Sequence, residues 1–518
     1  MTRTMIRAAT VGVGVLVLTV AVVPRVRTQN ATSGLPAHVQ LTRDEDFQRT
    51  RALLGLTGPP PAGAVNNSPD TFNEAIANPF PNLPDPLRLN NGQRVATAAV
   101  WNNQRRAELL ELFEREVYGR TPKVTPKVTW EVLSTTRETN GDVPVITKQL
   151  VGHVDNASYP TLTVNILASL STPANAPGPV PVILSFTPGG PAGGRGAAAV
   201  AAASTPAPTT VCQPTNAVPA AAPTAPQAAA PGPAGRGAAG PAAPPAPQGP
   251  TNQQQALALG WGYASVQTGS VQADNGQGLT CGIIGLVNKG QPRKVDDWGV
   301  LAAWAWGASR VLDYFETDKA VDARRIGMYG HSRWGKATLL ATVLDKRFAI
   351  AYVSSPGLGG AKLHRRKYGE TVDNVANTFY YWMAGNYMKY AGNWDKLPVD
   401  SHELVAMMAP RPVFFSGGAE PQKNPDGTIA TRVNEQGQTV VVQAFDAWVD
   451  PRGTFMAAVA AAPVYELLGK KGLGIKDFPP VDTKVITGDI GFHEHTGGHV
   501  SGPAWETFYT FASRQLRK

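Results

Sequence analysis

Apolar and polar positions along this chain fall into two periods. Four runs between residues 127 and 187 have strand character: KVTWEVL (127–133), PVITKQLVGHV (144–154), TLTVNILASL (161–170) and VPVILSFT (180–187). They alternate or are almost continuously apolar, as half-buried and fully buried strands are. Before them, WNNQRRAELLELFEREV (101–117) places Leu109, Leu110, Leu112 and Phe113 on one side of a helix, and residues 29–95 predict an extended lead-in wrapping the domain. Patterning resumes at ALALGWGYASV (256–266) and passes into a strongly amphipathic helix over about 297–316. RIGMYG (325–330) predicts a short strand leading into a helix that starts near Arg333. Further strands are expected at FAIAYVS (348–354), PVFFSGG (412–418) and KVIT (484–487), separated by helical stretches, and a helix over 503–516 closes the chain. Strands alternating with helices at this spacing predict an α/β architecture, a mostly parallel sheet covered on both faces.

Composition changes this picture in three places. The stretch 188–251 opens PGGPAGGRGAAA and stays rich in Ala, Pro and Gly with few large apolar residues. Such sequence buries too little surface to offset its ordering entropy, so it is expected to be a mobile insertion; a smaller polar one is expected at 421–442. At the N-terminus, basic Met1–Arg7 precedes the apolar run Ala8–Val23. That is the layout of an export signal, cleaved or retained as an anchor over residues 1–28, and it predicts a secreted or periplasmic protein. Finally, Cys212 and Cys281 are the only cysteines, and export would allow them to form a disulfide. Neither has metal-ligand spacing around it.

The formal charge is +9, but Arg3, Arg7, Arg25 and Arg27 lie in the first 28 residues, and the remainder carries +5. This mild excess is compatible with an anionic polysaccharide. It lacks the basic stripe with interleaved aromatics that nucleic-acid binding needs.

The chemistry concentrates at Gly330-His331-Ser332-Arg333-Trp334-Gly335, a G-x-S-x-x-G stretch between a predicted strand and a predicted helix. In α/β-hydrolases a nucleophilic serine sits on such a tight turn, and the helix start behind it offers N–H groups to a developing oxyanion. A serine needs a base, and the base needs an orienting acid, in the chain order Ser, acid, His. His493, His495 and His499 all fall in GFHEHTGGHVSG ahead of the last helix, and composition does not choose among them. A HxHxxxH spacing on a glycine-rich loop is a poor zinc signature, so no metal or other cofactor is expected. For the acid, Glu420 and Asp446 are close rivals beyond the PVFFSGG strand. Pro188-Gly189-Gly190 follows an early core strand and is a candidate second oxyanion donor.

Several longer stretches resemble the glucuronoyl esterases of carbohydrate esterase family 15, in their bacterial branch. They are GHSRWGKATLLATVLDKRFAIAYVSSPGLGGAKLHRRKYGET (330–371), VDSHELVAMMAPRPVFF (399–415), FDAWVDPRGTFMAAVAAAPVYELLG (445–469) and GDIGFHEHTGGHVSGPAWETFYTF (488–511). The similarity runs over most of 95–518. It implies one α/β-hydrolase domain over 96–518 that cleaves esters joining 4-O-methyl-glucuronic acid of glucuronoxylan to lignin alcohols. It implies Ser332 as nucleophile, His499 as base, Asp446 (in Asp-x-Trp) as acid, and Arg333 as the cation holding the oxyanion. Lys336, Glu370 and Trp448 match sugar-binding positions, and His493 matches a position outside the triad. One departure stands out. Where many members carry a second acid after the strand following the elbow, this chain has Ser355, which places the acid role on Asp446 with Glu420 in reserve. An acetyl- or feruloyl-type carbohydrate esterase, or an inactive cell-wall-binding relative, are the competing expectations. A monomer is expected.

Overall fold

Strands with one face toward water alternate in sequence, and strands buried on both faces do not. That difference divides the sheet. A computed structural model describes residues 34–65, 68–188, 249–419, 431–433, 439–441 and 445–516. Its strands are β1 (Val128–Asn140), β2 (Val143–Val154), β3 (Asn165–Pro173), β4 (Val180–Thr187), β5 (Gly262–Gln267), β6 (Val321–His331), β7 (Ile350–Ser354), β8 (Val413–Gly418), β9 (Thr431–Val433), β10 (Thr439–Val441) and β11 (Ile490–His495). Nine form one sheet in the order β1-β2-β3-β5-β4-β6-β7-β8-β11, and β9 pairs with β10 as a separate hairpin. Pairings from β1 to β5 are antiparallel. From β5 through β4, β6, β7 and β8 to β11 they are parallel. The alternating first run is the exposed edge β1, whereas β7, β8 and β11 are buried throughout.

The helices used below are α1 (Arg43–Leu53), α2 (Arg106–Phe113), α3 (Val300–Phe315), α4 (Arg333–Leu344), α5 (Pro451–Leu467) and α6 (Trp505–Leu516). Helix α3, expected over about 297–316 with a polar face, leaves only Arg310 and Asp313 outside the core; its other residues are buried, so its polar face is narrower than expected. It packs on α4, which in turn lies on β6 and β7. On α6, Trp505, Phe508, Phe511 and Ala512 form one apolar stripe against Tyr329, Tyr352 and Phe414 of β6, β7 and β8. Phe508 stacks on Tyr352 at 4.8 Å, and Trp505 meets Tyr329 edge-on at 4.5 Å. The sheet is therefore sandwiched by helices, the α/β-hydrolase arrangement.

Three expectations need correction. The last strand is not KVIT (484–487) but Ile490–His495, pairing parallel with β8; Val485 makes only an isolated bridge to Phe492. The β-branched residues of KVIT looked more strand-like than a run carrying two histidines and a glutamate. That polar run is nonetheless a fully buried strand, at the end of the sheet beside β8. The lead-in is not wholly extended: α1 lies within it, opened by a capping box between Thr42 and Glu45. Its side chains are mostly polar, so periodicity gave no sign of it, while T-x-x-E was the legible one. The helix expected at 101–117 is longer, running without a break from Ala98 to Tyr118 through α2 and two π-helical turns.

Residues 37–518 form one compact unit, and of the other, residues 1–36, only 34–36 are described. The expected export segment, Gly189, Gly190, most of the Gly/Ala/Pro stretch and Glu420 lie outside the described residues. So does Cys212, and with it the pairing to Cys281. Described structure resumes at Gly249, and Thr251 then caps the helix Asn252–Ala258.

Candidate active site

The G-x-S-x-x-G stretch becomes a turn of about one residue between β6 and α4. Ser332 is the N-cap of α4 with φ 59° and ψ −127°, a conformation that costs a non-glycine residue energy. The surrounding fold holds it there. Its N–H donates to the Ser354 carbonyl at 2.9 Å, and its own carbonyl accepts from Lys336 at 3.2 Å. The flanking glycines are required by space: a β-carbon on Gly330 would collide with the Trp334 carbonyl, and one on Gly335 would lie 2.7 Å from the Ser354 oxygen. Trp334, where the usual elbow has glycine, turns its indole N–H to the Thr268 hydroxyl at 3.2 Å. Ser332 stays partly exposed. Behind it, the first N–H groups of α4 have no partner within the helix, and the helix dipole adds to the positive potential there.

Of the three late histidines, the structure separates one from two. His493 and His495 are inside β11 and buried, not in the loop. Burial lowers the pKa of both below the ordinary histidine range. His499 is in the following loop and partly exposed, and its Nδ1 meets Asp446 Oδ1 at 2.5 Å. Its ring lies 4.4 Å from that of His331, the residue just before Ser332. His331 in turn meets the Ser354 hydroxyl at 3.0 Å, and loss of hydration with His499 nearby pushes its pKa down to about 3. It is thus neutral in the near-neutral pH range. Among the described residues no group of three His, Cys, Asp or Glu could hold a metal ion.

Asp446 is fully buried in the helical turn Phe445–Val449. Its Oδ2 accepts from the Ser355 hydroxyl at 2.8 Å and from the backbone N–H of Gly418, the last residue of β8. The residue that departs from the expected second acid therefore donates a hydrogen bond to the first. One carboxylate oxygen is left for His499, and the other is fully engaged.

The basic residues of α4 each meet a carboxylate. Lys336 is buried, with Nζ 2.8 Å from Glu370 Oε2 and 2.6 Å from the Leu358 carbonyl. Burial lowers its pKa, and Glu370 opposes the shift. Arg333, about 31% exposed at its side chain, pairs with Asp274 at 2.5 Å. Both cations lie over the Trp382 ring, Cζ of Arg333 at 5.5 Å and Nζ of Lys336 at 5.6 Å from its centroid. Trp448 is partly exposed, and its carbonyl accepts from the N–H of Glu370 at 2.7 Å, joining the Asp446 turn to the Lys336–Glu370 pair. All seven predicted site residues are thus placed at or around the elbow. Asp274 and Trp382 were missed, because their links to α4 span 59 and roughly 50 residues and leave no local signature.

Chemically, this is a hydroxyl on a strained turn, an imidazole oriented by a buried carboxylate, N–H donors at a helix start and a fixed guanidinium. Those are the parts of acyl transfer through a serine ester. Comparison with known proteins gives the family. A family model for the fungal glucuronyl esterases matches residues 293–442. Carbohydrate esterase MZ0003, from an unknown prokaryotic organism, is 30% identical over 479 residues, 91% of this chain and 99% of that protein. The 4-O-methyl-glucuronoyl methylesterase 1 of Wolfiporia cocos is 31% identical over 178 residues, 33% of this chain and 38% of its own length. Among solved structures, a CE15 glucuronoyl esterase from Teredinibacter turnerae superposes with a TM-score of 0.72 at 33% identity, covering 92% of this chain and all of that one.

Proposed function

Because this chain belongs to the glucuronoyl esterases of carbohydrate esterase family 15, we propose that it hydrolyses esters of (4-O-methyl-)glucuronic acid through Ser332, His499 and Asp446. The chain is an esterase. The observation that carries the finer reading is the His499–Asp446 pair at 2.5 Å, lying against the residue that precedes a serine with φ of 59°.

His499, with Nδ1–H donated to Asp446, presents Nε2 as the base. Ser332 Oγ loses its proton to Nε2 and bonds to the ester carbonyl carbon. The carbonyl electron pair moves onto oxygen, and this oxyanion is held by Arg333 and the first N–H groups of α4. Collapse breaks the bond to the alcohol, which leaves with the proton from His499. Water then gives a proton to His499, attacks the acyl-enzyme, and the second collapse returns the proton to Ser332 and frees the uronic acid. Neutral His331 favours this cycle, because a second imidazolium 4.4 Å away would oppose protonation of His499. Lys336, Glu370 and Trp448 are assigned to the sugar ring, and the natural ester is assigned to lignin–glucuronoxylan linkages. The basic and apolar order of residues 1–28 supports an exported site of action.

The test is hydrolysis of benzyl glucuronate by the purified protein and by Ser332→Ala. Turnover that falls by 10³-fold or more in the variant is expected, the order seen when a triad serine is removed. A folded wild type that cleaves acetyl-xylan or feruloyl esters and leaves the uronate ester intact would replace this reading with the general carbohydrate esterase.

A further inference from the structure

We propose that Asp274 is a positioning residue of this esterase, acting on the reaction through Arg333. The inference rests on the reading of Arg333 as the cation that holds the oxyanion.

An arginine side chain has four rotatable bonds, and catalysis by preorganised charge requires its guanidinium to be in place before charge develops. Here it is held at two points. Nη1 donates to Asp274 Oδ2 at 2.5 Å, and Cζ lies 5.5 Å from the Trp382 centroid. The two holds are themselves joined, because Asp274 Oδ1 accepts from the Trp382 indole N–H at 2.6 Å. Trp382 is stacked flat on Phe379, with centroids 4.1 Å apart and planes 6° from parallel. The plate under the guanidinium is therefore rigid.

The loop that carries Asp274 is pinned on both sides of it. The Gln272 carbonyl accepts from the Trp304 indole of α3 at 2.9 Å. The buried Gln272 amide donates to the Gly278 carbonyl at 2.6 Å and accepts from the Ile284 N–H at 3.1 Å. Asn275 Oδ1 accepts from the Gly278 N–H at 2.7 Å. A half-exposed Arg–Asp pair adds little stability. One whose carboxylate is also clamped by an indole, on a loop braced at 272 and 275, is built for geometry. Asp274 occupies one of the guanidinium nitrogens, and the remaining N–H donors stay available for the oxyanion. Its charge also offsets the repulsion between Arg333 and Lys336, which stand one turn apart on α4.

The experiment is a double-mutant cycle on benzyl glucuronate with the full chain: wild type, Asp274→Asn, Arg333→Ala and the double variant. Asparagine keeps an acceptor for Trp382 and loses the ion pair. The expected result is a kcat about tenfold lower for Asp274→Asn with KM little changed, an unchanged melting temperature, and no further loss when the substitution is added to Arg333→Ala. The same loss in both backgrounds, or no loss in either, would overturn the proposal. If Arg333→Ala turns over like the wild type, the reading of Arg333 is wrong and this inference falls with it; if Arg333→Ala is slow and Asp274→Asn is not, only the inference falls. Should Asp274→Asn fail to fold, Trp382→Phe removes the indole N–H while keeping the ring, and its loss of kcat must likewise vanish in the Arg333→Ala background.

Discussion

At the residue scale, the acid of the site is defined by what surrounds it. Asp446 has one oxygen on His499 and the other on the Ser355 hydroxyl and the Gly418 N–H. Removing one donor from a buried carboxylate costs about 1–3 kcal/mol, so Ser355→Ala is expected to lower kcat about tenfold without abolishing it. Steady-state kinetics beside a melting curve checks this; an unaltered kcat would reduce Ser355 to packing. His331 makes a separate prediction about acid. Its ordinary pKa of 6.5 falls to about 3 in the folded chain. Between those values the unfolded chain binds a proton at this position and the folded chain does not. Stability is therefore lost as pH falls through that window, and this residue contributes no pH dependence above about 7. Melting temperatures measured at pH 7 and pH 4 should converge more closely in His331→Asn than in the wild type.

At the scale of elements, the loop bearing His499 is tied to the strands bearing its partners. Ser501 Oγ lies 2.6 Å from the Tyr329 hydroxyl on β6 and accepts from the Trp505 indole at 3.3 Å, while its carbonyl accepts from Tyr352 of β7 at 3.2 Å. Tyr329 stands three residues before Ser332, and Tyr352 three before Ser355. Ser501→Ala leaves the Tyr329 hydroxyl without that partner, so it should destabilise the fold by about 1–3 kcal/mol and reduce kcat together. Thermal denaturation and turnover measured on one preparation decide it; a loss of stability with kcat intact would mean the loop is held elsewhere. The strand–turn–helix around Ser332 was legible because Gly330 and Gly335 are sequence-local demands of one backbone turn. The strands β4, β7 and β8 were legible as apolar runs. The last strand was not, because its burial comes from β8 beside it and from α5 and α6 packed on it, while its own His-Glu-His reads as polar. Ser501 and Asp274 were invisible for a related reason: each acquires meaning only from a partner 172 or 59 residues away.

At the scale of the whole molecule, the sheet is divided in labour. Every residue assigned to the site lies beyond residue 268, on the parallel part or in loops after it. The antiparallel part, β1 to β3, ends in a thirteen-residue edge whose outer positions carry Glu131, Arg137 and Glu138. A bulge between Val132 and Ser134 breaks its register with β2. Charges and a bulge on an exposed edge discourage pairing with a second chain. Glu131→Val combined with Arg137→Val should therefore increase association, read by light scattering at rising concentration, while kcat at low concentration stays the same. The strand order sets β1 five positions from β6, roughly 24 Å at the usual strand spacing of about 4.8 Å. The β1–β2 hairpin turn at Gly141 is thus a natural handle: a support, a label or a carbohydrate-binding partner grafted there would leave Ser332 open to a solid polymer, and the orientation of an immobilised catalyst could be chosen rather than left to chance.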